Sequence, residues 1–525
     1  MKRTAPDGFA RMMVLSALLA VYFLVICFIN FSAVPSFYDG DMYCDYRYAM
    51  EAWEHKSLFP EGWVFGNQLN AVSTPVLAAL LYGLSGNLNA SMAAACVMMG
   101  ILVVISYDWM VKTVLQEKES RLTAIILLVT VTLFSGCAVH GNQGWTLLFT
   151  MCSYYAGYSI TAFLAFGCYL RGFTGSFKRL LFIFAFTCIL SFGTGIQSIR
   201  QTAIMIGPIL GVEFLRRILS PGRWKSNKTP LLIAGGITIS NFLGLLYVRM
   251  REVNQNQIFG EIRITPLAEL KQAAIGCFAL IKDLLGADHP EAFFLLAGIG
   301  ILCLASLVLI LKKWKEDRDV SMLVLALLMG ASVAVIVVID VFTTMYVRPR
   351  YYFMLYPLIG FLIAALYARR PGKMRWCLFA LVVAFSCVAG ARELPKVCMS
   401  ALKQKDEVSH AISDYLLENG YTTVYAEWNH GHAVAIASNG RINTGYWYVE
   451  EQPFEKVTHL CSMDIYEADP AECVYLFEGG DDAEIGISVA ESAGVQLTLL
   501  AQYPETDTYL YTAPENLMQL MADRY

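Results

Sequence analysis

Charge is what this sequence has least of: Asp, Glu, Lys and Arg make up 16% of its 525 residues, against about a quarter in ordinary soluble domains. That shortage excludes a wholly soluble chain, and 57% apolar residues place it with membrane proteins. The net charge of −4 carries no basic excess, which argues against nucleic acid as a partner. A P-loop and a dinucleotide fingerprint are both missing, so no nucleotide pocket and no cofactor are expected. No pair among the 14 cysteines has zinc-ligand spacing. Most of them, Cys96, Cys152 and Cys168 included, lie inside apolar runs, where a thiol serves as a small packing residue. Cys461 and Cys473 stand apart in a more polar region and are candidates for a bridge.

What the sequence has in quantity is apolar length. A helix needs about 20 apolar residues to cross roughly 30 Å of hydrocarbon. On that ruler eleven spans are expected, near 11–31, 90–111, 122–139, 147–170, 178–195, 201–216, 230–248, 291–311, 320–343, 351–368 and 375–391. The first run is longer than the roughly 7–15 residues of a cleavable signal core and is read as a retained span. The stretch VSTPVLAALLYGLSG, 72–86, is short and carries Pro75 and Gly83, so it reads as a re-entrant or surface helix.

Basic residues set the orientation. Segments between alternate spans hold 22 of the 39 Lys and Arg, from Lys2, Arg3 and Arg11 through Lys312 and Lys313 to Arg369, Arg370, Lys373 and Arg375. Lys/Arg-rich short loops face the cytoplasm, so the amino terminus is expected inside and, after eleven spans, the carboxy terminus outside. The expected architecture is therefore a polytopic α-helical membrane protein with a bundle over 1–391. Its long loops 32–89 and 249–290 lie on the extracytoplasmic side, as does a small α/β domain over 392–525. In that tail EVSHAISDYLLENG has helical spacing and ends at Gly420, a C-cap residue. YTTVYAEW, RINTGYWYV, ECVYLFEG and VQLTLLAQY are strand-like.

The long loops concentrate the polar chemistry. SFYDGDMYCDYRYAMEAWEHKSLFPEGW, 36–63, places Asp39 and Asp41 just past the first span. YDGD reads either as a solvated turn or as carboxylates at the mouth of a cavity between helices, suited to general-base work. Tyr38, Tyr43, Tyr46 and Tyr48 beside it are either cavity lining or interfacial belt residues. The following YRYAMEAWEHKSLFP has the pattern of an amphipathic surface helix. In MYVRPRYYFMLYP, 345–357, Arg348 and Arg350 stand on the side that the basic residues otherwise avoid. Arginine there either holds a phosphate in a bidentate fork or snorkels to headgroups. Arg200, with Gln197 and Gln201, and His140 with Gln143 in VHGNQGW, fall on the same face. Asp340 is a candidate partner for one of the arginines. Polar groups from four separate loops on one face are what an interfacial active site needs.

This arrangement resembles the GT-C superfamily of integral membrane glycosyltransferases. The resemblance lies in the many-span bundle, the acidic pair within FYDGDMYCDYRYAMEAWEHKSLFP, the following NQLNAVSTPVLAALLYGL, the late RPRYYFMLYP and the soluble tail. It implies an inverting hexosyl or pentosyl transferase that takes a sugar from a polyprenyl-phosphate donor. The acceptor would be an envelope glycan, a lipid or a protein, and membrane lipids would be the surroundings. Family roles then put the general base on Asp41 or Asp39 and the donor phosphate on Arg200, Arg348 and Arg350. Tyr38, Tyr43, His140 and Gln143 would line the acceptor side of the cavity. Many members carry a second acidic motif between spans three and four; here VHGNQGW has no acid, so no metal is expected. The rival readings are a transporter or flippase, which would call for charged or broken helices at the bilayer midplane, and an envelope scaffold. Most of the spans are uncharged, Glu213 towards the inner end of the sixth being the nearest to an exception, and no internal repeat is apparent.

Overall fold

In the computed structural model every residue is described except 1–5, 33–39, 136–143, 174–176, 220–226, 252, 256–261, 287–289, 318–319, 371, 402–404, 429, 448–452 and 523–525. The chain enters the bundle with α1 (Pro6–Ser32). Its first long segment then folds as α2 (Gly40–Glu54), a short strand β1 (Trp63–Val64) and α3 (Thr74–Ser85). Next come α4 (Leu88–Val111), α5 (Lys118–Phe134), α6 (Gly144–Leu148), α7 (Ala156–Arg171) and α8 (Phe177–Gln197). A π-helical turn at Thr202–Ile206 leads into α9 (Gly207–Leu219), followed by α10 (Thr229–Arg251). The second long segment contains α11 (Leu270–Leu284). The bundle then closes with α12 (Pro290–Asp317), α13 (Ser321–Phe342), α14 (Leu355–Ala368) and α15 (Lys373–Ala401).

Among the described residues, eight helices are long and apolar enough to cross a membrane: α1, α4, α8, α10, α12, α13, α14 with its preceding turn, and α15. The other three stretches that apolarity alone marks as spans are occupied by α5, α7 and α9, of 17, 16 and 13 residues. α5 and α7 are buried nearly all round. Their apolar side chains therefore meet neighbouring helices. The last expected span, 375–391, belongs to a helix that runs on to Ala401.

Local signals start and stop these elements as their chemistry requires. α3 begins with a proline in its first turn and ends at Gly86, whose φ of 66° lets its N–H close on the Tyr82 carbonyl. Asn87 then caps α4, accepting from the Ala90 N–H at 2.9 Å. Small residues bring α8 and α10 together, since a Cβ on Gly195 would collide with the Asn241 carbonyl and one on Gly244 with that of Phe192. At the bundle end where α1, α5 and α15 begin, Glu119 binds Arg11 at 2.6 Å and Arg375 at 3.4 Å. Glu213 is likewise paired, with Arg216, Arg217 and the Tyr169 hydroxyl.

After α15 the chain forms a five-stranded sheet of order β3-β2-β5-β7-β6. β2 (Thr423–Glu427), β3 (Asn443–Trp447) and β5 (Cys473–Glu478) are parallel, and β7 (Thr508–Thr512) is antiparallel to both β5 and β6 (Thr498–Tyr503). The helices α16 (Lys405–Glu418), α17 (His432–Ala437), α18 (Gly480–Ser492) and α19 (Leu517–Ala522) complete the domain. A two-residue strand, β4 (Cys461–Ser462), leaves this sheet and pairs antiparallel with β1, Trp63 opposite Ser462. Cys461 and Cys473 are separate buried thiols and not the bridge that their setting suggested: Cys461 lies in the β1–β4 ladder and Cys473 in β5 of the five-stranded sheet.

Candidate active site

α2 is the element on which the candidate site is built. It does not lie on the surface as an amphipathic helix, the expectation from its pattern. Tyr43, Tyr46, Tyr48 and Glu51 are all buried, because the helix is covered by the C-terminal domain on one side and the bundle on the other. The aromatic residues serve both sides. Tyr48 meets Trp63 and Phe65 edge-on, with centroids 5.7 and 5.8 Å away. Tyr43 meets Tyr446 of β3 at 6.2 Å.

Tyr43 is therefore not a cavity-lining residue, as its position in the sequence had implied. Its hydroxyl accepts the Thr444 N–H at 3.2 Å and so ties α2 to the sheet. Two further polar contacts share the work: Arg47 donates to Asn443, and Asn89 donates to the Ile436 carbonyl at 2.9 Å. Tyr43→Phe should strand the buried Thr444 N–H at a cost of about 1–3 kcal/mol. The expected result is a lower thermal midpoint for the detergent-solubilised protein.

Asp41 lies in the first turn of α2, where the helix dipole favours a carboxylate. Arg350, on the 3-10 turn Pro349–Tyr352 that precedes α14, brings Nη2 to 3.7 Å from Asp41 Oδ2. Their side chains are 16% and 30% exposed, so the pair is only half-shielded from solvent. The separation is longer than a hydrogen bond.

Arg200 enters the same region from the α8–α9 connection. Its guanidinium lies 4.5 Å from the Tyr351 ring centre, 5.1 Å from Tyr155 and 5.7 Å from Tyr158, and Nη1 donates to Gln68 Oε1 at 3.2 Å. Such cation–π contacts hold an arginine without neutralising it. Gln68 also accepts from the Tyr158 hydroxyl at 3.3 Å. The segment carrying it is fixed by Gln197, whose carbonyl takes the Leu69 N–H and whose side chain takes the Val72 N–H. Arg200, Arg348 and Arg350 all lie within electrostatic reach of the Tyr155 phenol. Arg348 is turned towards the Tyr346 ring, 5.6 Å away.

Asp41, Arg350 and Arg200 thus come together from three segments distant in sequence. Tyr38, Asp39, His140 and Gln143 lie outside the described residues. Asp340, a candidate partner for an arginine, instead accepts from the Tyr352 hydroxyl at 2.6 Å. Sequence reasoning did not single out Gln68, Tyr155, Tyr158, Trp428 or His459. The tyrosines looked like any interfacial aromatic, and the last two belong to a domain that read as accessory. His459 is 5% exposed and stacks on Trp428, with centroids 5.3 Å apart at 28°. Burial pushes the imidazole below its usual pKa, against the nearby charge of Asp41. A cavity of about 350 Å³ lies elsewhere, between α1 and α4, lined by Tyr22, Phe23, Ile26, Gly100 and Val104; none of its lining residues is charged.

Comparison with solved structures identifies the architecture. The chain has the GT-C fold. It is similar to ArnT from Cupriavidus metallidurans in the apo state, with a TM-score of 0.57 and 11% identity over 97% of this chain and 99% of that one. It is also similar to the same protein bound to undecaprenyl phosphate, with a TM-score of 0.52 and 12% identity over the same shares of both chains. No protein-family model and no curated protein sequence matches the chain. A GT-C bundle with a C-terminal sheet domain accounts for the two long segments as parts of one fold. The site described above sits where the first of these segments meets the sheet domain and the turn before α14.

Proposed function

We propose that the protein is a membrane glycosyltransferase that moves a sugar from a polyprenyl-phosphate donor to a hydroxyl acceptor. The observation that carries this reading is the meeting of a carboxylate, Asp41, with two arginines, Arg350 and Arg200, in one half-buried region. The likeness in fold to a protein solved with undecaprenyl phosphate supports the choice of donor.

In this reading the acceptor hydroxyl gives its proton to Asp41 as its oxygen attacks the anomeric carbon. The new C–O bond forms as the bond to the donor's phosphate oxygen breaks, and the phosphate leaves with the electron pair. Arg350 and Arg200, with Arg348 beside them, stabilise the charge gathering on the leaving phosphate. A single displacement of this kind inverts the anomeric centre. Arg350 has two roles: its 3.7 Å contact with Asp41 orients the base, and its guanidinium is the group whose fork geometry suits a phosphate. The site is assigned to the extracytoplasmic face, supported by the 22 of 39 basic residues gathered in the alternate short segments.

Reconstitution tests the reading directly. Proteoliposomes of the pure protein, given undecaprenyl-phosphate-linked pentoses and hexoses carrying a radiolabel and a membrane extract as acceptor source, should release label into a new covalent product. Counterflow of the labelled donor with no such product would favour a transporter instead.

A further inference from the structure

We propose that Gln68 is a positioning residue that keeps Arg200 an unneutralised cation for the donor phosphate. It holds the guanidinium among Tyr155, Tyr158 and Tyr351 with a neutral amide oxygen, at a place where a carboxylate would cancel the charge. This rests on the reading of Arg200 as a phosphate ligand. Three features of the chain carry it.

The first is the contact itself. Arg200 Nη1 donates to Gln68 Oε1 at 3.2 Å, and the Tyr158 hydroxyl donates to the same oxygen at 3.3 Å. An arginine side chain only donates, so the oxygen end of the amide is the end that faces it. Tyr158 thus has two parts in the arrangement. Its ring is one wall around the guanidinium, 5.7 Å away, and its hydroxyl bonds the oxygen that holds the guanidinium in place. Tyr351, at 4.5 Å, is the neighbour of Arg350 in the turn Pro349–Tyr352, so the same cage sets Arg200 relative to the second arginine.

The second feature is how firmly the segment bearing Gln68 is fixed. On one side of it the Gly66 carbonyl accepts from Gln255 Nε2 at 2.7 Å. On the other the Asn70 carbonyl accepts from the Tyr48 hydroxyl at 3.3 Å. Val72 is then wedged between α7 and α8. A Cβ on Gly157 would lie 1.7 Å from its carbonyl oxygen, and one on Gly193 2.5 Å from its side chain. Gly157 adjoins Tyr158, so one close approach places both the amide and the phenol that bonds it.

The third feature is charge. Among the described residues the guanidinium of Arg200 has this amide oxygen and three aromatic rings for partners, none of them anionic. Elsewhere in the bundle Arg11, Arg121, Arg216 and Arg375 each pair with a carboxylate. Glutamate has the size of glutamine and would bond a guanidinium more strongly. A neutral acceptor here gives up that strength and preserves a positive charge beside Arg350, which is already 3.7 Å from Asp41. An arriving phosphate therefore meets one arginine for which no carboxylate competes.

The test uses the full chain in detergent, undecaprenyl phosphate as the binding probe, and the thermal midpoint as a second readout. Gln68→Glu keeps the length of the side chain and its bonds to Arg200 and Tyr158. It should leave the midpoint at or above that of the wild type. Binding of undecaprenyl phosphate should nevertheless weaken by about 10- to 100-fold, because the new carboxylate neutralises Arg200 and repels the phosphate. A merely structural role would not separate the two readouts. Gln68→Met removes the acceptor without shortening the side chain and should cost about three- to tenfold in affinity. That loss should vanish on an Arg200→Ala background, because groups that act as a unit are not additive.

Wild-type affinity in Gln68→Glu, with Arg200→Ala weakened at least about tenfold, would overturn the role of Gln68 and leave the phosphate reading standing. Wild-type affinity in Arg200→Ala would instead bring down the reading on which the inference rests. Should Gln68→Glu fail to fold, Gln68→Met and its double variant with Arg200→Ala carry the test. Wild-type affinity in Gln68→Met, or a loss that persists in full without Arg200, would overturn the role, and a loss confined to the chain that keeps Arg200 would support it.

Discussion

Replacing Asp41 by asparagine is expected to lower sugar transfer by about 10²- to 10⁴-fold, the range ascribed to a positioned general base. The substitution keeps the volume of the side chain and removes its capacity to take a proton from the incoming hydroxyl. Donor affinity should not fall with it. The Asp41 carboxylate stands 3.7 Å from Arg350, where it competes with a phosphate for the same guanidinium and repels it by like charge. The variant should therefore bind undecaprenyl phosphate as tightly as the wild type or more tightly, a combination that simple misfolding does not produce. Single-turnover transfer and direct titration with undecaprenyl phosphate separate the two effects. Asp39→Asn, measured alongside, assigns the base between the two carboxylates. Transfer within about tenfold of wild type in both variants would remove the first long segment from the chemistry.

The second large effect is expected at the arginines. Arg350→Ala should weaken binding of undecaprenyl phosphate by about 1.5–3 kcal/mol, the usual value of hydrogen bonds to a charged group. That is a loss of roughly ten- to a hundredfold in affinity. Arg350→Lys should recover only part of it, since an ammonium cannot reproduce the guanidinium fork. Arg200→Ala should act in the same direction. Its guanidinium is held among Tyr155, Tyr158 and Tyr351 by stacking and by a bond to Gln68, and none of those partners cancels its charge. Arg348→Ala should have the smallest effect of the three, because its side chain is directed to Tyr346. Equal affinity in the Arg350 and Arg200 variants would mean that these side chains serve lipid headgroups and not a bound phosphate.

Arg350 stood out in the sequence because it breaks the expected alternation of Lys and Arg, and Asp41 because it follows an apolar span by a few residues; the structure places the two side chains 3.7 Å apart. Tyr43 was equally conspicuous and proved to be a docking residue for the sheet domain. In sequence, a tyrosine that faces a cavity and one that faces a neighbouring domain look alike.

By itself the sequence determined that the chain is a multi-pass membrane protein, and it marked the long polar segments as the places where acids and arginines collect. Composition and the placement of charge suffice for this, because the cost of putting either in hydrocarbon is written residue by residue. Tertiary structure alone decided which of those groups meet. Asp41, Gln68, Arg200 and Arg350 are spread over three hundred positions of the chain. They are brought together by the turn before α14, the Gln197 bonds that fix the Gln68 segment and the packing of α2 between bundle and sheet domain. Such contacts depend on packing between distant segments, and no local propensity records them.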